Sequence, residues 1–236
     1  MGRCIVAGGK PDMAAPFAGI LASDLAVGSI VKLMENGTAV EYLVVNKGKP
    51  SGSTLYDDSC DGLWLLRKDI HSKVDRDRTT CDYPSSNPHA FVNNDFFNTL
   101  GSIEQSVVKT VKIPTANGSG VVSSGANGTQ CRAFIPSAFE VGSWTSAKYV
   151  DGALCSYFGT DLSAGSADSL KRIAYLNGVA TEWYTRTVSI PPNICGVTET
   201  GTSVNGGITM AGVRPMLILP HTAIFDEETL ILKGVA

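Results

Sequence analysis

The runs EWYTRTVSI (residues 182–190) and GVRPMLILP (residues 212–220) decide the fold of the C-terminal third. A third compact apolar run, LKRIAYLNG at residues 170–178, precedes them. Between the last two runs, residues 191–211 are rich in Gly, Thr, Ser and Asn, which is typical of an exposed loop or a loosely paired hairpin. Short apolar runs separated by polar loops predict a strand-rich region.

A hairpin and a buried strand are predicted upstream of this region. Residues 29–48, SIVKLMENGTAVEYLVVNKG, contain two β-rich runs joined by Asn36 and Gly37. This dipeptide tolerates the positive φ angles of a type I′ turn, so it predicts a hairpin. The run GLWLLRKD is short and mostly apolar, which predicts a strand over residues 63–68 that is buried on both faces.

One amphipathic helix is predicted from about Pro88 to Leu100. Its apolar positions have helical spacing and comprise Phe91, Phe96, Phe97 and Leu100. Asn87 before Pro88 favours this start, because an Asn side chain caps free N–H groups and proline suits the first helical position. Next, SVVKTVKIP predicts a strand that Pro114 ends.

The elements together predict an α+β fold with many short strands, one or two helices and long ordered loops. Residues 1–19 are rich in Gly and Pro and show no helical or strand periodicity, so we expect an N-terminal arm that needs a neighbour. The predicted domain then covers residues 20–236. A chain of 236 residues, 43% hydrophobic and 17% charged, is enough for one sizeable core.

The charge and hydropathy patterns argue against two classes of partner. The formal net charge is −3, and no cluster of Lys and Arg creates a field that attracts nucleic acid. No segment approaches the roughly 20 apolar residues that cross a bilayer, and the N-terminus has no apolar stretch of signal length. We therefore expect no nucleic-acid partner, no membrane insertion and synthesis in the cytosol.

The six cysteines are widely spaced, and no pair has the CxxC spacing of a zinc or redox centre. We predict six free thiols, although an even count would permit disulfides in a protein that works outside a cell. The cysteines are Cys4, Cys60, Cys81, Cys131, Cys155 and Cys195.

The sequence contains few of the residue combinations that carry catalysis. The three histidines, His71, His89 and His221, are expected to be solvated at the surface, and no GxSxG string is present. Adjacent acids such as Asp57 and Asp58 are expected to be solvated charges, and residues 57–62 resemble a calcium loop only loosely. The sequence therefore predicts a protein that is not an enzyme, with no cofactor and no metal.

Aromatic residues among small polar ones are the best candidates for binding. Residues 143–161, SWTSAKYVDGALCSYFGTD, resemble adaptable recognition surfaces in composition. Alternatively, Tyr157 and Phe158 pack this loop onto the core. Trp64 and Trp183 have apolar neighbours and are expected in the core. The candidate binding residues are Trp144, Tyr149, Tyr157, Asn193, Thr198, Thr200 and Asn205.

A family resemblance covers about residues 25–220. The strings at residues 172–187 and 212–220 resemble the paired W-[WY]-x-R-[ST] and G-V-R-P-x-[LI] signatures of a poorly characterised domain family of Firmicutes genomes and their phages. The hairpin, the WLLRKD strand, the HAFVNNDFFNTL helix and CRAFIPSAFEVG follow the family's order. The signatures are similar to strands of the C-type-lectin-like and formylglycine-generating-enzyme-like group.

The resemblance implies a C-type-lectin-like fold, with a small twisted antiparallel sheet, one or two helices and long loops on one side. It gives a structural role to Trp183, Arg186, Gly212, Arg214 and Pro215, in which the arginines brace loops through their planar donors. The EPN and QPD triplets of the sugar-binding branch are absent, since PPN at residues 191–193 lacks the acid. Calcium-dependent sugar binding is therefore disfavoured.

These observations favour a non-enzymatic structural protein of a phage or prophage virion, in the tail, the baseplate or the capsid surface. Its expected partners are other virion subunits, including copies of itself, and a host-surface glycan or protein. Two alternatives stay open. One is an enzyme, either a hydrolase or a cysteine oxidase of the related fold, and the other is a bacterial surface adhesin. Fold alone does not decide between them.

Overall fold

The computed structural model describes residues 19–76, 82–144, 149–189, 193–206 and 210–236. Three α-helices are present in these ranges: α1 Asn87–Phe91, α2 Ser102–Val107 and α3 Ala167–Arg172. The strands are β1 Ile20–Leu21, β2 Ile30–Glu35, β3 Thr38–Lys47, β4 Leu63–Arg67, β5 Ser72–Asp75, β6 Val111–Ile113, β7 Thr115–Ala116, β8 Val122–Ser123, β9 Thr129–Cys131, β10 Ala133–Phe134, β11 Tyr175–Leu176, β12 Val179–Ala180, β13 Trp183–Val188, β14 Ile194–Val197, β15 Ser203–Gly206, β16 Met210–Val213, β17 Met216–Leu219, β18 Ala223–Phe225 and β19 Leu232–Val235.

Two five-stranded sheets form the frame of the molecule. The first has the order β10-β17-β4-β3-β2, and all its neighbours are antiparallel. The second has the order β15-β14-β13-β16-β5, in which only β13 and β16 run parallel. A three-stranded sheet, β1-β18-β19, and three two-stranded pairs complete the described strands. The protein is thus mixed α and β, with several mostly antiparallel sheets instead of the single small sheet expected.

The first sheet is built around the predicted hairpin and strand. Asn36 and Gly37 have φ angles of 47° and 77°, which confirms the type I′ turn between β2 and β3. In β4, all four residues 63–66 are fully buried. The prediction of a strand buried on both faces is therefore confirmed.

The predicted helix is confirmed, although its turns are not uniform. It runs as α1, then as a π-helical turn, Val92–Phe96, and ends as a 3-10 turn, Phe97–Thr99. The prediction that Asn87 caps it was wrong by one residue, because the Ser86 hydroxyl accepts the hydrogen bond from the His89 N–H at 3.3 Å. Asn87 is instead the first helical residue.

The strand predicted over residues 106–113 was wrong in its first half. Residues 106 and 107 end helix α2, and only Val111–Ile113 forms a strand. A tertiary contact explains the helix, because the Met34 N–H of β2 donates to Glu104 Oε1 at 2.9 Å. This contact ties the segment to the sheet as a helical turn.

The GVRP motif marks the place where the chain passes from one five-stranded sheet to the other. β16 belongs to the second sheet and β17 to the first, so Arg214 and Pro215 form the crossing. Pro215 has no N–H for the carbonyl of Arg67, and Arg214 Nε donates to that oxygen at 3.2 Å. Arg214 Nη2 also donates to the Lys68 carbonyl at 2.8 Å, so this side chain ties the crossing between β16 and β17 to the end of β4.

Gly212 and Trp183 pack tightly beside this crossing. A Cβ on Gly212 would lie 2.7 Å from Ile70 Cδ1, so glycine keeps β16 close to the β4–β5 connection. Trp183 is fully buried, and the Arg214 guanidinium lies 4.8 Å from its ring centroid. Burial lowers the pKa of Arg214 to about 10.

Two expectations fall partly outside the described residues. The N-terminal arm, apart from Gly19, lies outside them, as do Cys4 and Cys81. Cys60, Cys131, Cys155 and Cys195 are free and buried, which confirms the thiol prediction for these four. Within the described ranges, no helix is both long and apolar enough to span a bilayer.

Candidate functional site

The candidate site consists of loop 149–161 and the hairpin 194–206, which β14 and β15 form. Between β10 and α3, the described part of residues 135–166 contains no strand and no helix. Loop 149–161 belongs to this irregular stretch. Its position is set by hydrogen bonds from two buried arginines, Arg172 at the end of α3 and Arg186 in β13.

Arg172 holds the loop and the hairpin together. Its Nε donates to the Gly201 carbonyl at the hairpin turn, at 2.8 Å. Its Nη1 donates to the Gly159 carbonyl at 2.9 Å and its Nη2 to the Asp161 carbonyl at 2.6 Å. Nη1 also lies 3.2 and 3.3 Å from the carbonyls of residues 141 and 142. The loop and the turn therefore lie on either side of one guanidinium.

The backbone conformation of Gly142 allows this close arrangement. Its φ of +63° is in the left-handed region that favours glycine. A Cβ at this position would lie 2.1 Å from the Gly159 carbonyl oxygen. The turn at residues 137–143 can approach loop 149–161 only without a side chain here.

Arg186 holds the other end of the loop. All five of its N–H donors have acceptors: Pro114 O at 3.0 Å, Ile135 O at 3.0 Å, Glu140 Oε2 at 2.7 Å, Glu140 Oε1 at 2.5 Å and Asp151 O at 2.9 Å. Burial opposes its charged form, but the ion pair with Glu140 outweighs burial and raises the pKa of Arg186 above its usual range. No donor of this guanidinium remains for a ligand.

Glu140 is saturated in the same way. Besides Arg186, it accepts the Tyr56 hydroxyl at 2.8 Å and the Ser137 N–H at 2.8 Å. Burial, and then the charge of Glu140, raise the pKa of Tyr56 well above its ordinary value. Tyr56 also accepts the Ala153 N–H at 2.9 Å, which fixes the middle of loop 149–161.

Asp151 is the one buried carboxylate here with an unfilled acceptor. Its Oδ1 accepts the Thr187 hydroxyl at 2.7 Å, whereas Oδ2 has no partner among the described residues. Burial raises the pKa of Asp151 to about 6, against the lowering influence of Arg186 and the Thr187 hydroxyl. Asp151 lies where loop 149–161 contacts β13.

The hairpin separates the polar residues predicted to bind. Thr198 and Thr200 lie at the turn, where their hydroxyl oxygens are 3.0 Å apart. Asn193 and Asn205 lie at the open end, since Ile194 pairs with Gly206. The predicted set therefore lies at two ends of one hairpin. Arg172 ties the turn end to loop 149–161 through its bond to the Gly201 carbonyl.

The predicted aromatic residues are half-buried. Trp144 follows the turn at residues 137–143, and Tyr149 packs against Gly120, where a Cβ would lie 2.1 Å from its ring. Tyr157 packs edge-on against Phe158 with ring centroids 5.0 Å apart, and its N–H donates to Val45 O. Phe158 is buried, so this pair matches the alternative in which it packs the loop onto the core.

Two of the three histidines are half-buried, so the expectation that they are solvated holds for them only in part. His71 is half-buried with its ring 5.5 Å from the rings of Phe91 and Phe96, and His89 packs on Tyr83 at 4.9 Å. Burial lowers the pKa of both imidazoles. His221 lies at the surface, 3.1 Å from Asp61 Oδ1.

Burial favours the protonated form of the four thiols in the described part of the chain, and this form is a poor nucleophile. Burial raises the pKa of Cys60 to about 11, that of Cys131 and Cys195 to about 12, and that of Cys155 well above its ordinary value. A nucleophilic cysteine has a lowered pKa instead. In the described part of the chain, no three His, Cys, Asp or Glu side chains are grouped to hold a metal ion.

A small cleft, with a cavity volume of about 20 Å³, is lined in part by Arg186. Its walls combine apolar side chains with polar and charged ones; the lining residues are Arg76, Asp82, Tyr83, Ser86, Pro88, Ile135, Thr185, Arg186, Val188 and Ile194. The Tyr83 hydroxyl is used inside the fold, where it accepts the Ile135 N–H at 3.0 Å.

Sequence reasoning missed Arg172 and Asp151 as members of the site. Arg172 stands inside the apolar run LKRIAYLNG, and a cation in such a run was the signal that could have found it. Asp151 and Tyr56 carried no such signal, because only the fold brings residues 56, 140, 151 and 186 together.

The fold and site define a strand-rich α+β protein whose long loops are braced by buried arginines. Within that class, the chain belongs to the family described as a domain of unknown function (DUF6273), whose model matches residues 61–221. The matched region includes the crossing at Arg214, the bracing arginines, loop 149–161 and the hairpin. No curated protein and no solved structure matches the chain.

Proposed function

We propose that this protein is a non-enzymatic binding or assembly module that presents loop 149–161 and the hairpin 194–206 to another macromolecule. The observation that carries the proposal is the bonding of Arg172 to Gly201 O, Gly159 O and Asp161 O. One buried side chain thereby fixes both halves of the surface. A surface fixed in advance loses less conformational entropy when it binds.

The chemistry of the surface supports the same proposal. The loop and the hairpin turn present hydroxyls, amides and small residues, with Tyr149 and Tyr157 as half-buried aromatics. Such compositions suit adaptable hydrogen bonding to a macromolecule. The buried side chains of Arg172, Arg186 and Glu140 form hydrogen bonds within the protein. The raised pKa values of the thiols do not suit covalent catalysis.

The resemblance stated for the sequence is the support for the second part of the proposal, that this module is a tail, baseplate or capsid-surface component of a phage or prophage virion. Its partners are then neighbouring virion subunits, copies of itself, or a glycan or protein of the host surface. The same resemblance supports a C-type-lectin-like fold for the sheets and the loops that they carry. Both points are part of the proposal.

Particle analysis tests the virion assignment. Prophages of the strain that encodes this chain are induced, particles are purified on a density gradient, and peptides of each fraction are identified by mass spectrometry. We expect this chain to sediment with particles at a constant ratio to the major capsid subunit. Its absence from every particle fraction would overturn the assignment.

Surface variants test the binding role of the loop and hairpin. The variant Thr198→Ala, Thr200→Ala, Asn205→Ala changes the hairpin, and the control Glu227→Gln, Glu228→Gln changes two exposed acids near β19. We expect the first variant to fold normally but to reduce incorporation into particles or adsorption to host cells, whereas the control matches the wild type. Equal incorporation and adsorption for both variants would contradict the proposal.

A further inference from the structure

We infer that Asp151 is a proton-operated latch that sets how firmly loop 149–161 is held against β13. The inference rests on the proposed function, because this loop is half of the proposed binding surface. It adds regulation: acidification tightens the surface and a rise in pH loosens it.

The hydrogen bonds around Asp151 leave one oxygen for a proton. The Thr187 hydroxyl oxygen accepts the Ala138 N–H at 2.8 Å, so its own hydrogen points to Asp151 Oδ1 at 2.7 Å. The Asp151 carbonyl accepts from Arg186. Asp151 Oδ2 is buried and has no partner among the described residues. A buried acceptor without a partner costs free energy, and the cost is larger when it carries charge.

Burial opposes the ionised form of Asp151, and the groups that face it offset this opposition only in part. From β13 it faces the Arg186 cation and the Thr187 hydroxyl. From the turn at residues 137–143 it faces Glu140 and the Ser137 hydroxyl, and from β14 the Cys195 thiol, which burial keeps neutral. Arg186 donates two hydrogen bonds to the Glu140 carboxylate and one to the Asp151 carbonyl, so these hydrogen bonds do not include the Asp151 carboxylate.

Protonation of Asp151 removes its negative charge. Burial raises the pKa of Asp151 from 3.8 to about 6, so the closed loop binds the proton more tightly than an open, hydrated loop does. Proton linkage between these two values predicts that the ratio of open to closed loop rises about tenfold between about pH 5 and pH 8. The loop is therefore tightest in mildly acidic solution.

Hydrogen exchange measured by mass spectrometry tests the latch. Two amides report on the loop: the Ala153 N–H, which bonds to the Tyr56 hydroxyl, and the Cys155 N–H, which bonds to the Glu140 carbonyl. After correction for the intrinsic pH dependence of exchange, we expect their protection in the wild type to fall about tenfold from about pH 5 to pH 8. In Asp151→Asn the fall should vanish, because the amide does not titrate.

The control Asp95→Asn alters an exposed carboxylate outside loop 149–161, so it should keep the pH dependence of the wild type. A flat wild-type profile, or an Asp151→Asn profile that falls like the wild type, would overturn the latch. If Asp151→Asn does not fold, carbon-13 NMR of aspartate-labelled wild type decides, since the latch requires a carboxyl with a midpoint near pH 6.

The result of the exchange experiment does not depend on whether the proposed binding function is correct. Exchange is measured on the free protein, so a chain that enters no virion can still show the latch. Conversely, a loop with no pH dependence leaves the incorporation and adsorption experiments unchanged. Failure of one proposal is thus distinguishable from failure of the other.

Discussion

The first five-stranded sheet and loop 149–161 are ordered by different forces. In the sheet, the central strand β4 buries residues 63–66 completely, and its order follows from apolar burial. Loop 149–161 has no regular secondary structure; it adds Phe158 to the core, and the hydrogen bonds of Arg172 and Arg186 to its carbonyl oxygens fix its position. Apolar burial is non-directional, whereas each arginine contact depends on the position of a particular donor.

This difference predicts unequal tolerance to substitution. A core position accepts another apolar side chain of similar volume at low cost. A buried guanidinium with saturated donors accepts no substitute, because any change leaves carbonyls or a carboxylate without a partner. The loop side should therefore be structurally specific and easily damaged, and the sheet side tolerant.

Arg186→Ala should give the largest loss of stability. It would leave Glu140 buried without its counter-ion and remove the donors to three carbonyls. We expect the free energy of unfolding, measured by denaturant titration, to fall by about 3 to 5 kcal/mol. Arg132→Ala is the matched control, since Arg132 is exposed and lies over the Phe97 ring. Equal losses for the two variants would remove the distinction between buried and exposed arginines.

Asp151→Asn should raise stability at neutral pH. The pKa of Asp151 is about 6 in the folded protein, above the ordinary aspartate value of 3.8. Its contribution to the free energy of unfolding is therefore fully present below pH 3.8 and is lost as the pH rises through 6. The difference in unfolding free energy between variant and wild type should therefore grow between about pH 4 and pH 7.5, towards roughly 3 kcal/mol.

The histidines do not interfere with this comparison. Burial lowers the pKa of His71 and His89, so their contribution has the opposite sign and is lost as the pH falls through their folded values. The variant and the wild type share this histidine contribution, so it cancels in the difference between their free energies of unfolding. A difference that does not change with pH would contradict the raised pKa of Asp151.

Arg172→Lys should cost an intermediate amount. The charge is kept, but an ammonium cannot span the carbonyls of Gly201, Gly159 and Asp161 as the planar guanidinium does. We expect a loss of about 1 to 3 kcal/mol in denaturant unfolding. A cost near zero would show that a point charge suffices to hold the loop and the hairpin turn.

Leu65→Met should have the smallest effect, below about 1.5 kcal/mol in the same measurement, because the volume is conserved and methionine adapts its shape. Leu65 is fully buried in β4, so burial alone does not make a position intolerant. A cost above that of Arg172→Lys would reverse the proposed contrast between the sheet and the loop.

The sequence predicted the elements whose signal is local. The Asn36-Gly37 turn needs two positive φ angles, and the apolar run of β4 needs burial on both faces, so both could be read from the residues nearby. The helix from Asn87 to Thr99 was also predictable from its phenylalanine spacing.

What the sequence did not predict depends on contacts between distant residues. Helix α2 replaces part of a predicted strand because Glu104 bonds to Met34, 70 residues away. Arg172 and Asp151 gain their roles from carbonyl and hydroxyl groups that lie far along the chain, and a carbonyl gives no signal in the sequence. The sequence therefore predicted the arginine contacts only in part, through the structural roles expected of Arg186 and Arg214.

Hydrogen exchange of Arg172→Lys, measured residue by residue against the wild type, tests the central claim most directly. We predict that exchange speeds up more in loop 149–161 and the turn at residues 198–202 than in residues 30–67 of the first sheet, where the increase reflects only the loss of global stability. Unchanged exchange in the loop and the turn, or an equal increase throughout the molecule, would contradict the claim that this buried arginine holds both halves of the surface.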